Sequence, residues 1–206
     1  MSDGDEGAAG VLGTHRLEAF SDGVMAVIIT VMALELKVPV AATWAAAGQR
    51  LPEVLTFALS FTFIAIYWNN HHHLLRATRL ISAGVMWANM VLLFWLALIP
   101  VLTAWIARSP ASPIPAAFYG MDAAAAAIAY AIMVRVIIRA NGRSSEVARA
   151  IGGDLKGNLS VAAYLLAIGL AFLSPLLAYA TYTAVAVMWL VPDPRLYRPS
   201  KSGLSG

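Results

Sequence analysis

Six stretches of this 206-residue chain are long and apolar: Leu17–Leu36, Val54–Leu75, Ile81–Ala107, Ile114–Ile138, Leu159–Leu173 and Leu176–Val191. Crossing a bilayer as a helix takes roughly 17–25 mostly apolar residues. Lipid offers no partner to a backbone N–H or C=O, so a spanning helix must satisfy its own hydrogen bonds. The pattern predicts an all-α, polytopic membrane protein with six transmembrane helices. The last two stretches are short and share the turn Ser174-Pro175. Joined, they exceed one span of ordinary tilt, so a tight hairpin is expected. Composition agrees with a chain solvated by lipid. It is 60% hydrophobic and 12% charged, against roughly 45–50% and about 25% in soluble domains.

Lysine and arginine set the expected orientation. With a cytosolic N-terminus, the inside carries Arg16, Arg76, Arg79, Arg135, Arg139, Arg143, Arg149, Lys156, Arg195, Arg198 and Lys201. The outside carries only Lys37, Arg50 and Arg108. Such a positive-inside bias predicts an even number of spans, both termini cytoplasmic, and a multi-pass protein of the plasma membrane. Trp44, Trp105 and Trp189 fall at expected span ends, where indole rings favour the interface. Pro52 and Pro113 fall where helices begin and no backbone donor is needed. Residues 1–14 read as a disordered acidic tail without the basic start of a signal peptide. Residues 15–192 form the membrane domain, with its first helix over 16–38, and residues 193–206 a basic cytoplasmic tail. Asn141 to Gly157 is the longest polar loop. The pI near 9.4 comes from basic residues beside the apolar stretches, so no nucleic-acid partner is expected. Cysteine is absent, which excludes disulfides and thiol chemistry.

The first stretch carries Ser21-Asp22-Gly23 at its mouth and Glu35 at its far end. A carboxylate within a span costs several kcal/mol, so Asp22 needs a polar partner or water. On a wheel of about 100° per residue, Phe20, Gly23, Val27, Thr30, Val31 and Leu34 share one stripe, whereas Asp22 lies about 140° from Val27. The acid therefore points into neighbouring helices and not along the stripe. The second helix ends Tyr67-Trp68-Asn69-Asn70-His71-His72-His73 and supplies donors at the depth of Asp22. Three consecutive histidines diverge by about 100° each, so one ion cannot take all three. A hydrogen-bonded network is expected there, with no metal site and no cofactor. Asp122, within an alanine run of the fourth stretch, is a second intramembrane acid and a functional candidate on that ground.

Arg16-x-x-x-Phe20-Ser21-Asp22-Gly23 resembles the RxxxFSDG signature of the transmembrane-protein-175 family of potassium channels. Trp68-x-Asn70-His71-His72 in the second helix matches a further family element. Val191-Pro192-Asp193 looks like the family's C-terminal ending. The resemblance covers nearly the whole chain and implies a homotetramer, with four copies of the first helix around a potassium pore. It implies an apolar constriction at Val27, Thr30, Val31 and Leu34 in place of a TVGYG filter, which this chain lacks. The family usually has a bulkier Ile or Leu where Val27 stands; Thr30 matches members with a hydroxyl layer. Arg16, Phe20, Ser21, Asp22, Gly23, Trp68, Asn70, His71 and His72 are implied as the polar packing network behind the pore. The expected function is a potassium-selective channel, not an enzyme, whose partners are potassium ions, lipid and its own copies. The alternative is a proton-coupled secondary transporter using Asp22 and the histidine cluster. Paired repeats and broken helices, common in transporters, are not evident.

Overall fold

A computed structural model describes residues 3–142, 144, 145, 148 and 155–190, with side chains from residue 13 onward. All regular structure among them is helical: α1 (Asp3–Leu34), α2 (Trp44–Gln49), α3 (Leu51–Arg76), α4 (Ala83–Arg108), α5 (Pro113–Asn141), α6 (Leu155–Leu173) and α7 (Pro175–Leu190). Five helices are long and apolar enough to cross a membrane: Gly13–Leu34 of α1, then α3, α4, α5 and α6. The sixth, α7, is apolar but shorter. The chain is a multi-pass membrane protein. Val191-Pro192-Asp193, the basic tail, Arg143 and Arg149 lie outside the described residues.

The structure differs from the sequence reading in two places. Helix α1 begins at Asp3, so most of the segment expected as a disordered tail continues the first helix. A short helix, α2, occupies the loop between the first two spans, where none was expected. Thr43 caps it by accepting the Ala46 N–H at 3.2 Å. Helices α3 and α5 carry Pro52 and Pro113 in their first turns, as the sequence predicts, since proline costs nothing there. Only Ser174 separates α6 from α7, and the two pack along each other as a hairpin.

Helix α5 is the centre of the bundle and packs on α4, α6 and α7. Its inner face is small: Ala116, Ala117, Gly120, Ala123, Ala124 and Ala126 are buried. Without a hydrophobic drive between helices in lipid, close van der Waals approach over small residues holds them together. Phenols fill the space these leave, with the Tyr119 and Tyr182 rings tilted by 41° at a 5.4 Å centroid distance. At one end, Asn141 staples the α3–α4 turn to α5. Its Oδ1 accepts the Arg79 and Leu80 N–H groups at 3.0 and 2.9 Å, and its Nδ2 donates to the Leu80 carbonyl. Helix α1 packs against α3 and α4 at the edge of the bundle.

Candidate functional site

Two faces of α1 have opposite surroundings. Thr14, Leu17, Ser21, Met25, Ile28 and Met32 recur at three- and four-residue spacing and are buried against α3 and α4. Phe20, Gly23, Val27, Thr30, Val31 and Leu34 form the other face and are exposed; Val27 and Leu34 are 61% and 80% exposed, Met25 and Met32 1% and 2%. An added Cβ at Gly23 meets nothing within 4 Å. The Thr30 hydroxyl donates to the Ala26 carbonyl at 2.9 Å, leaving its lone pairs outward.

Behind this face lies a row of polar contacts. Trp68 Nε1 donates to Asp22 Oδ1 at 3.0 Å. His72 Nδ1 is 2.7 Å from Glu18 Oε1. Ser21 Oγ donates to the Leu17 carbonyl at 2.8 Å and accepts from Asn89 Nδ2 at 3.0 Å. Asn89 Oδ1 faces His71 Nε2 at 2.7 Å, deep in the bundle. A carbonyl oxygen can only accept, so His71 carries its proton on Nε2. The three histidines part as the helical rotation requires: His71 is buried, His72 half-buried and His73 exposed. Among the described residues no three metal-ligating side chains converge.

A sequence profile described as "Endosomal/lysosomal potassium channel TMEM175" matches residues 16–100. That segment runs from the Arg16 of the signature to Pro100 in α4, and so contains every member of the polar row. A potassium channel of Chryseobacterium sp. is 45% identical over 186 residues, covering 90% of this chain and 97% of that one. The chain belongs to the TMEM175 family. A potassium channel of Streptomyces collinus is 32% identical over 187 residues, covering 84% and 90% of the two chains. The crystal structure of a lysosomal potassium-selective channel TMEM175 homolog from Chamaesiphon minutus superposes with a TM-score of 0.75. It is 28% identical and covers 87% of this chain and 97% of that one.

In this TMEM175 family member the residues read from sequence divide into two groups. Ser21, Asp22, Trp68, His71 and His72 come together between α1, α3 and α4. Arg16 is exposed and pairs with none of the described residues, and Phe20 and Gly23 lie on the exposed face. Asn70 does not reach Asp22. Its Nδ2 turns back to the Ile66 carbonyl at 2.8 Å, and its own carbonyl accepts from the Tyr130 hydroxyl at 3.2 Å. Residue 70 leaves the helix about 160° from Trp68 once two residues of rotation are taken, and so faces α5. Asn89 and Glu18 were not anticipated. Glu18 is one turn before Asp22 on the same side of α1, a spacing legible in sequence; Asn89 carries no local signal. At the far end of α1, Glu35 lies 3.7 Å from Arg108, and both border a cavity with Lys37 and Glu53.

Proposed function

We propose that this chain forms a homotetrameric, potassium-selective channel of the plasma membrane, six spans per protomer and both termini cytoplasmic. Four copies of α1 line its pore. The observation that carries it is the two-sidedness of α1: its polar and buried side is bound within the protomer, while Val27, Thr30, Val31 and Leu34 stand on its exposed side. Names of relatives add support. Three are potassium channels, and one solved homolog is described as potassium-selective. A ring of Val27, Val31 and Leu34 side chains makes an apolar constriction that water leaves easily, which closes the pore to ions without a plug. Thr30 adds a ring of oxygens between the apolar layers. Because its O–H is committed to Ala26, its lone pairs are free to replace part of a cation's water shell.

The anchor gives the pore helix its rotation. Asp22 and Ser21 hold one side of α1 against Trp68 and Asn89, so the apolar stripe keeps its bearing. A proton-coupled transporter would instead need Asp22 and the histidines open to a solute path. Asp22 is held by Trp68, and His71 is buried against Asn89.

Potassium and sodium flux through the purified protein in liposomes tests the constriction. Val27→Asn or Leu34→Asn is expected to raise flux or to reduce the preference for potassium. Wild-type flux and preference in both variants would sink the assignment.

A further inference from the structure

Helices α3, α5, α6 and α7 enclose a cavity at the end of the bundle where α6 begins and α7 ends. None of its lining residues belongs to α1 or α4, so it is separate from the anchor and from the exposed face of α1. Asn70, which turns away from Asp22, lines it instead. Phe63, Ile66 and Ala127 and the rings of Tyr67, Tyr164 and Trp189 make its walls. An apolar lining with a few placed polar groups is the usual character of a binding cavity. At about 40 Å³ it is narrow and takes a slender group, not a ring.

Polarity is graded along it. At the mouth, the Lys156 ammonium lies 5.8 Å from the centre of the Trp189 ring and donates to the Met188 carbonyl at 3.4 Å. Trp189 Nε1 donates to Ser160 Oγ at 2.8 Å, and Ser160 donates in turn to the Lys156 carbonyl. These bonds fix the indole as a wall beneath the ammonium. Tyr164 lies one turn further along α6 and packs against Phe63 at a 5.9 Å centroid distance. It is 3% exposed, yet it borders the cavity. Neither its hydroxyl nor that of Tyr67 has a hydrogen-bond partner among the described residues, whereas the Tyr130 hydroxyl donates to the Asn70 carbonyl. A buried phenol without an acceptor is costly, so both call for an acceptor carried by whatever enters.

A cation at the rim, donors one turn deeper and apolar walls match the order of groups in a phospholipid: phosphate, ester, chain. We propose that the cavity holds one acidic phospholipid of the leaflet at the Lys156 end. Its phosphate meets Lys156, its ester oxygens accept from the Tyr67 and Tyr164 hydroxyls, and the start of one acyl chain lies against Phe63. The headgroup stays at the mouth because the interior is too narrow for it. Basic pockets between membrane helices recognise acidic headgroups in this way. The bound lipid ties α3 to the α6–α7 hairpin. The site does not rest on the pore assignment.

Native mass spectrometry of the purified full-length protein tests it, with phosphatidylglycerol and phosphatidylcholine of equal chain length added in turn. The wild type is expected to retain phosphatidylglycerol about fivefold better, the worth of one lysine beside an anionic headgroup. Lys156→Gln should erase that preference. Tyr164→Phe should weaken both lipids by about fivefold, the scale of one hydrogen bond. A second measurement uses unmutated protein and so does not depend on a variant folding. Phosphatidylglycerol with a diazirine on the first carbons of its acyl chain is photolysed with the protein, and peptide mapping should place adducts within residues 63–67 or 160–164. Equal retention of the two lipids by the wild type would overturn the proposal, as would an unchanged preference in Lys156→Gln. Adducts confined to other segments would also overturn it, leaving the cavity to water or to another part of the chain.

Discussion

Asn89 joins α4 to two other helices with a single amide. It accepts from His71 on α3 and donates to Ser21 on α1. Both partners are fully buried, so removing the amide leaves groups that water cannot rescue. Asn89→Leu keeps the volume and deletes the bonds. It should lower the unfolding free energy by about 1–3 kcal/mol, the cost of leaving a buried polar group unpaired, read from the thermal midpoint of the purified protein. Trp68 contributes differently. Its ring is partly exposed and only its N–H reaches Asp22. Trp68→Phe should therefore cost less stability than Asn89→Leu, while altering potassium flux by freeing the rotation of α1. Equal losses of stability in the two variants would show that the indole packs more than it anchors.

Glycine separates two kinds of contact at the level of helices. At Gly120 an added Cβ collides with the Tyr182 hydroxyl and comes within 3.0 Å of Ile168 Cγ1. That hydroxyl donates to the Ala116 carbonyl at 2.8 Å, so the approach of α5 to α7 depends on the missing methyl. Gly120→Ala should destabilise the protomer by about 1–3 kcal/mol, as over-packing of a tight core does. At Gly23 the same change meets open space within the protomer. Gly23→Ala should leave the thermal midpoint of the isolated protomer unchanged and act on flux or assembly. The family resemblance placed Gly23 in the packing network behind the pore. Within one chain the residue lies on the exposed face of α1, turned away from α3 and α4.

Assembly decides which exposed surface meets lipid and which meets another copy. Apolar side chains project from several helices, among them Val27 and Leu34 on α1 and Trp87 and Phe94 on α4. Exposure alone does not tell them apart. The absence of cysteine from the chain makes a direct comparison possible. Val27→Cys should form disulfide-linked dimers rapidly under a mild oxidant in the membrane, and Trp87→Cys should remain monomeric on denaturing gels. The reverse pattern would place α4 at the subunit contact and α1 against lipid. The mass of the assembly in native mass spectrometry should equal four protomers.

Much was legible without coordinates wherever the controlling physics is local. Length and apolarity mark spans because a bilayer has a set thickness. The break at Ser174 follows from proline, and the bearing of Asp22 away from Val27 follows from helical pitch. The signature Arg16-x-x-x-Phe20-Ser21-Asp22-Gly23 led to the family for the same reason, being contained in one helix. Partner choice was a different matter. Asn70 and His71 are neighbours in sequence, yet Asn70 turns to its own backbone and His71 to Asn89. Thr103, Ser60 and Tyr119 lie on three helices and meet only because α5 packs closely over its alanines. Hydrogen bonds between side chains far apart in the chain depend on how helices cross, and a crossing is set by the sum of all the contacts along it.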